Sequence, residues 1–223
     1  KAKHCIFLFM QGGVSQVDSF EYKPELYPLD GKTIDVKTFG RGGKKSKGRV
    51  VGPKWKFKQY GQCGKHVSSI FPNLSKHTDK MAFIHSGHTE SNNHSPALFA
   101  MNCGLPRMGY PCVGSWVTYG LGSESDSLPA FVVMSDPKGR GLPKGHAANW
   151  GAGFLPSVYQ GTHFRPSGEP IDNLKRPKEM NAQQQRRQLD LLKSLNQKHF
   201  EANPFEESLA ARIESFELSY RMQ

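Results

Sequence analysis

The chain has 223 residues, of which 36% are hydrophobic and 11% aromatic, and this is ordinary for a globular domain. The composition excludes a disordered tail, and no run approaches the roughly 18 apolar residues of a membrane-spanning helix. The net charge of +11 comes from residues 36–78, which hold 11 basic residues and no acidic one, whereas the remainder has 19 of each. Such a segment is either a solvated lysine-rich surface or a region that attracts anions.

Short strands dominate the predicted elements of the first half. Residues 4–11 form a continuous apolar run, which predicts a strand buried on both faces, and Gly12 and Gly13 then favour a tight turn. The other elements predicted for this half are a loop with a short helix at 14–29, a half-exposed edge strand at 54–58, a helical segment at 67–77 and a short strand at 81–84.

Helices dominate the predicted elements of the second half. They are helices at 94–102 and 115–121, a strand at 129–134, and two further helices at 180–200 and 204–222. Two long loop regions interrupt the pattern, a basic one at about 36–66 and a Gly- and Pro-rich one at about 135–178 that is either functional or packed. Strands that alternate with helices predict an α/β fold with right-handed crossovers.

The segment HSGHTESNNHSP at residues 85–96 concentrates polar side chains between a predicted strand and a predicted helix. Backbone N–H groups at a helix start are unpaired and attract anions, so this segment predicts a phosphate or sulfate site. His94 is a candidate metal ligand, a candidate nucleophile or general acid–base, or a structural residue. Ser95 is an alternative nucleophile or a helix cap.

Four further side chains of this segment have two interpretations each. His88 and Glu90 either complete a metal or acid–base set or are hydrogen-bonded surface residues. Asn92 and Asn93 either orient an anion or make the turn before the helix.

A second polar and aromatic group follows in the Gly- and Pro-rich region. It consists of His146, Asn149 and Trp150, with Tyr159 close behind in the sequence. Aromatic rings beside glycines suit stacking on a sugar, and they suit loop packing equally well, so both interpretations stay open. The four cysteines form no C-x-x-C pair, which argues against a structural zinc site of the usual spacing.

The spacing around His94 resembles that of a known nucleophile helix. Counting from His94, Pro96 falls at plus two and Gly104 at plus ten. In sulfatases the nucleophile opens a helix in the pattern C-x-P-x-R with a glycine ten positions on, and alkaline phosphatases place their serine and a later Thr-Gly at the same separation. Histidine cannot become formylglycine, and Leu98 stands at the position of the arginine. The resemblance therefore implies the fold and the place of the pocket, but not the sulfatase mechanism.

Several longer phrases resemble the family called domain of unknown function 1501, within the alkaline phosphatase and sulfatase superfamily. These phrases are FLFMQGGVSQVDSFEYKP, HTESNNHSPALFAMNCG, GSWVTYGLGSE, LPAFVV and NWGAGFLPSVYQGT. The resemblance implies an α/β domain with an alkaline-phosphatase-like, mostly parallel sheet flanked by helices, of which residues 1–223 would be the N-terminal part with an incomplete sheet. Family members are generally exported and longer, so we expect a periplasmic or extracellular protein made with a signal peptide.

The resemblance also implies an activity. It points to a metal-dependent hydrolase of sulfate or phosphate esters, polysaccharide esters included, with a divalent cation such as zinc or calcium. Gln11 and Asp18 become candidate metal ligands beside His88 and His94, because the first strand of the superfamily delivers a metal-binding carboxylate. Sulfatases have paired aspartates where this chain has Gln11, and Asp18 is the nearest carboxylate.

Two alternatives to this activity remain. The domain could have lost its catalytic residues and kept the fold to bind anionic glycans. The basic stretch with its interleaved aromatic residues could instead bind nucleic acid, although the family resemblance disfavours this.

Overall fold

A computed structural model describes residues 3–37, 45–91, 93–136, 142–205 and 207–223 of the chain. Contacts within the chain divide it into two compact units, Lys1–His88 and Thr89–Gln223. None of the described helices is long and apolar enough to cross a membrane.

The first unit is built from two antiparallel hairpins and short helical turns. Its labelled elements are α1 (Gln16–Ser19), β1 (Thr33–Lys37) paired with β2 (Lys45–Arg49), and β3 (Phe57–Tyr60) paired with β4 (Lys65–Ser68). The Asp79 carboxylate accepts hydrogen bonds from the backbone N–H groups of Gln62 and Cys63, at 3.0 and 2.9 Å. These bonds fasten the turn between β3 and β4, and they lower the pKa of Asp79.

Two predicted strands of the first unit are not formed. Residues 4–10 contain neither helix nor strand, and the Ile6 side chain is 81% exposed. Residues 81–84 are also irregular, with Ile84 93% exposed. A strand buried on both faces needs a hydrogen-bonded neighbour for its backbone, and the described part of the chain pairs no strand with either run.

The turn that follows the first apolar run is confirmed. The Gly13 N–H donates to the Met10 carbonyl at 3.0 Å, and both glycines have positive φ. The edge strand predicted at 54–58 begins only at Phe57, as β3. Most of the helix predicted at 67–77 is instead the end of β4 and a loop, and only a 3₁₀ helix at Leu74–Lys80 is helical.

The second unit contains the longer helices, as the sequence predicts. Its elements are α2 (His94–Cys103), α3 (Val113–Leu121), β5 (Val132–Met134), β6 (Thr162–Phe164), α4 (Ala182–Ala202) and α5 (Glu207–Arg221). β5 and β6 are parallel, with Val133 opposite His163, and they are the parallel pair among the described strands. The four predicted helices are confirmed within two or three residues at each end. The larger alkaline-phosphatase-like sheet stays a prediction.

The described part of the Gly- and Pro-rich region is packed against α3. The Cys112 N–H and the Ser115 hydroxyl both donate to the Gly151 carbonyl, at 3.2 and 3.1 Å. Cys112 and Ser115 are buried. The region therefore fixes the start of α3 and does not act as a passive connection.

A guanidinium–carboxylate pair joins α4 to α5. Arg186 donates from Nη1 and Nη2 to the two carboxylate oxygens of Glu217, at 2.9 and 2.7 Å. Its Nε also donates to Asp190 at 2.9 Å, and its guanidinium lies 5.0 Å from the centre of the Tyr220 ring. Arg186 lowers the pKa of Glu217 through these hydrogen bonds.

Replacing Glu217 by Gln is expected to lower the free energy of unfolding by about 1 kcal/mol at pH 7, because the paired charge is lost. Because the folded state lowers the pKa of Glu217, its carboxylate stabilises the protein at pH values above the ordinary glutamate pKa of about 4.3. This stability is lost as the pH falls through the lowered pKa. The difference between wild type and variant in urea unfolding should therefore shrink as the pH falls below about 4.3, the ordinary pKa of a glutamate. The control is Glu214→Gln on the same helix, whose exposed side chain carries the same charge; equal losses in the two variants would contradict the prediction.

Candidate functional site

The loop before α2 is held by its own polar groups. Asn93 is the N-cap residue, and its side-chain oxygen accepts from the Ser95 N–H at 3.3 Å. The Asn93 N–H donates to the Ser91 hydroxyl at 3.1 Å, and the Thr89 hydroxyl donates to the Ser91 carbonyl at 2.9 Å. Pro96 has no N–H and the Ser95 N–H is bound to Asn93, so this helix start offers an anion fewer backbone donors than the sequence alone indicates.

α2 spans the interval between His94 and Gly104. Gly104 ends the helix in the left-handed conformation, with φ at +81°, and its N–H donates to the Ala100 carbonyl at 3.0 Å. His94 lies exposed in the first turn, and Ser95 beside it is half-buried. Leu98 is only 5% exposed, so the position that matches the sulfatase arginine belongs to the core.

The far end of α2 carries a thiol of low reactivity. Burial, and secondarily the neighbouring Cys112, raise the pKa of Cys103 to about 11. The thiol is therefore protonated at neutral pH and is a poor nucleophile. All four cysteines of the chain are free thiols in the structure.

Asn149 lies inside the second unit and is only 5% exposed. Its side-chain amide donates to the carbonyls of Lys144 and His146, at 2.9 and 3.2 Å. Its side-chain oxygen accepts from Asn102 of α2 at 3.2 Å, and Asn102 also donates to the Leu98 carbonyl at 3.0 Å. The predicted role of Asn149 in substrate binding is untested, and a substrate could use this amide only by breaking these bonds.

The two neighbours of Asn149 differ in accessibility. His146 is exposed and has a positive φ of 44°. Trp150 is half-buried, and its indole stacks on the His163 ring with centroids 5.8 Å apart and planes 20° apart. One face of the indole is thus covered, and a sugar could stack only on the other.

The predicted metal ligands are divided between the two units. Gln11 and His88 are exposed residues of the first unit, and the Asp18 carboxylate accepts from the Ser15 hydroxyl at 2.7 Å. His94 and the exposed Glu90 belong to the second unit. Asn92 lies outside the described residues. Among the residues that the structure describes, no three His, Cys, Asp or Glu side chains form a group that could hold a metal.

Where the structure describes it, the basic segment contains strands of both hairpins of the first unit. In the first hairpin, Thr33 pairs with Arg49 and Asp35 pairs with Lys47. Side chains alternate between the two faces of a strand, so Asp35, Lys47 and Arg49 share one face and Ile34 lies on the other. The charged face has an excess of positive charge, which attracts anions.

The family model described as "Protein of unknown function (DUF1501)" matches residues 2–223. The chain belongs to this family. The match confirms the resemblance seen in the shorter phrases and extends it to the last residue of the chain. No curated protein and no solved structure matches the chain.

This DUF1501 chain contains a charged cluster that sequence reasoning missed. The Lys65 ammonium lies 2.5 Å from His85 Nε2 and 4.7 Å from the centre of the Phe83 ring. On the other side of the imidazole, Glu21 Oε1 is 3.6 Å from Nδ1, and Lys23 lowers the pKa of Glu21 by a hydrogen bond. No spacing rule joins residues so far apart in sequence, so only the fold could reveal this cluster.

Proposed function

We propose that this DUF1501 chain belongs to a hydrolase of sulfate or phosphate esters, polysaccharide esters included, and that the ester group binds at the start of α2. One observation carries the proposal. The interval from His94 to Gly104, which resembles the nucleophile helix of sulfatases and alkaline phosphatases, is occupied by one helix with His94 exposed in its first turn. The proposal includes membership of that superfamily, its mostly parallel sheet and export from the cytoplasm.

The position of His94 suits a proton-transfer role. The N-terminal end of a helix carries a partial positive charge, which favours a bound sulfate or phosphate group. Because the available backbone donors are few, the imidazole itself must contribute to binding. An exposed imidazole can donate a hydrogen bond to an ester oxygen and pass a proton to the leaving alcohol. Ser95 is half-buried beside His94 and is the alternative to His94 as the nucleophile that attacks the ester.

A divalent cation would polarise the ester oxygens in such a reaction. The described residues bring no three-ligand group together, and the candidate ligands Asp18 and His88 lie in the other unit from His94. Metal dependence therefore rests on the resemblance alone, and a measurement of bound metal tests it.

Binding of anionic glycans without catalysis is the second candidate function. The register of β1 and β2 supports it, because Lys47 and Arg49 lie on one face of a hairpin in a segment that is poor in acidic residues. Such a face attracts sulfate or carboxylate groups along a polysaccharide by long-range electrostatics, and salt should weaken this binding.

The test is turnover of 4-nitrophenyl sulfate and 4-nitrophenyl phosphate by the purified full-length protein, with zinc or calcium added and the bound metal measured. His94→Ala should reduce turnover about 100-fold or more, because general acid–base groups contribute at least that much. The control His199→Ala removes an exposed histidine at the end of α4 and should leave the rate unchanged. Full activity in His94→Ala would refute the proposed site.

A heparin-binding assay across salt concentrations decides between ester hydrolysis and glycan binding. It uses the wild type, the His94→Ala variant and a double variant of the first hairpin. If no variant turns over either ester, while binding survives His94→Ala and is lost in the double variant Lys47→Gln/Arg49→Gln, glycan binding replaces the hydrolase. Tight binding of a single-stranded oligonucleotide at physiological salt would instead indicate a nucleic-acid partner.

A further inference from the structure

Ser135 and His163 meet beside the parallel strand pair of the second unit. Ser135 directly follows the last residue of β5, and His163 lies in the middle of β6, opposite Val133. Since Ser135 is two residues beyond Val133, strand alternation directs its side chain to the face that Val133 and His163 share. His163 Nε2 lies 3.2 Å from the Ser135 hydroxyl oxygen.

The packing around β6 fixes the orientation of the His163 ring. Its ring stacks on Trp150, and the Trp150 carbonyl accepts from the Gly161 N–H at 2.8 Å. A Cβ atom at Gly161 would lie 2.7 Å from a methyl carbon of Val133 and 3.1 Å from the Trp150 Cβ. The absence of a side chain at Gly161 therefore lets Trp150 approach the sheet and hold the imidazole against it.

The position and the geometry of this pair both suit catalysis. In open α/β sheets, ligands bind beyond the carboxyl ends of the parallel strands, which is where Ser135 lies. An activated serine lies within hydrogen-bond reach of a base, at about 2.6–3.2 Å, and a further group orients that base. Here the Trp150 ring provides the orientation. Ser135 and His163 are half-buried, so they are shielded from bulk water but remain accessible.

We propose that Ser135 and His163 form a nucleophile–base pair that hydrolyses carboxylic esters, the class to which O-acyl groups on sugars belong. His163 Nε2 accepts the Ser135 hydroxyl proton while the serine oxygen bonds to the acyl carbon. The bond from that carbon to the alcohol oxygen then breaks, and the alcohol leaves with the proton from Nε2. Water loses a proton to Nε2, attacks the acyl-serine and releases the carboxylic acid, and Ser135 recovers its proton.

This pair is independent of the proposed function. It uses neither His94 nor a metal, and its substrates are carboxylic esters instead of sulfate or phosphate esters. The two proposals can therefore fail separately on the same purified chain.

The test is labelling of the full chain with a fluorophosphonate probe, with the modified residue identified by mass spectrometry, together with hydrolysis of 4-nitrophenyl acetate. Ser135 should carry the adduct in the wild type, and Ser135→Ala should abolish both labelling and hydrolysis. His163→Ala and His163→Gln should slow both by about 100-fold or more. The control Ser157→Ala removes another half-buried serine of the same unit and should change neither rate.

Circular dichroism establishes that each variant is folded before its rates are compared. A folded wild type without an adduct on Ser135 overturns the proposal, and this result holds even if a variant fails to fold. Unchanged labelling of Ser135 in folded His163→Gln also overturns it, because the hydrogen bond would then be purely structural.

Discussion

Gly153→Ala is expected to destabilise the Thr89–Gln223 unit by about 3 kcal/mol or more. Gly153 has a φ of +59°, which disfavours any residue with a side chain. A Cβ atom there would also overlap the carbonyl carbon of Tyr110 and the nitrogen of Pro111. These are backbone atoms beside the buried start of α3, so they cannot move aside as the end of a flexible side chain would.

Two other glycines separate the two causes of this destabilisation, which are backbone strain and atomic overlap. Gly109 has a φ of +98° with open space around the Cβ position, so Gly109→Ala measures backbone strain alone. Gly120 lies in α3 with no such strain and no close atom, and Gly120→Ala should be neutral or stabilising by up to about 1 kcal/mol. Urea unfolding followed by tryptophan fluorescence measures all three. A Gly153→Ala loss no larger than that of Gly109→Ala would show that the overlap is relieved without cost.

The path of the chain connects Gly153 to the Trp150 ring that orients His163. Gly153 follows Trp150 closely in sequence, and the Gly151 carbonyl between them binds Cys112 and Ser115. A loosened Tyr110–Gly153 contact should release this segment and with it the Trp150 ring that orients His163. We therefore expect substitutions near Gly153 that leave the protein folded to reduce the rate of ester hydrolysis.

The helices were predictable because their signals are local. α2 has Asn93 as its cap and Gly104 at its end, and α4 has a capping box in which Asn181 and Gln184 each bind the other's backbone N–H. These signals lie within one turn of the helix end that they fix. A sequence therefore contains nearly all the information needed to place such helices.

The strands were poorly predicted because their pairing is not local. Residues 4–11 have the composition of a buried strand, yet composition does not provide a hydrogen-bonded neighbour. Val67, Ile70 and Leu74 have helical spacing, but the turn fastened by Asp79 brings residues 65–68 back against β3. In that hairpin Val67 becomes one of the most buried side chains of the first unit.

The candidate site shows the same limit. The sequence predicted the residue at which α2 begins, because the cap and the helix lie together in the chain, whereas anion binding at that start stays a prediction. It could not show that Asn149 is buried against Asn102, which is 47 residues away, or that Ser135 meets a histidine 28 residues further on. Residue type suggests what a side chain can do, and only the fold decides which partner it has.

The hydrogen bond between Asn102 and Asn149 is expected to contribute strongly to the stability of the second unit. Asn149→Ala is expected to cost about 2–3 kcal/mol, because it removes the three hydrogen bonds of the buried Asn149 side chain, two to the carbonyls of Lys144 and His146 and one from Asn102. Asn102→Ala should cost about 1–2 kcal/mol, since it removes the bond to Asn149 and the bond to the Leu98 carbonyl. Both variants lose the same hydrogen bond between the two amides.

A double-mutant cycle measures that shared bond. The double variant should be less destabilised than the sum of the single variants by about 0.5 kcal/mol or more, whereas independent sites add within about 0.3–0.5 kcal/mol. The measurement is urea unfolding of the four proteins at pH 7. Additive losses would show that the two amides are not coupled, and Asn149 would then be held only by its bonds to the carbonyls of Lys144 and His146. A coupled pair instead makes Asn149 the residue that holds the His146–Trp150 turn on α2.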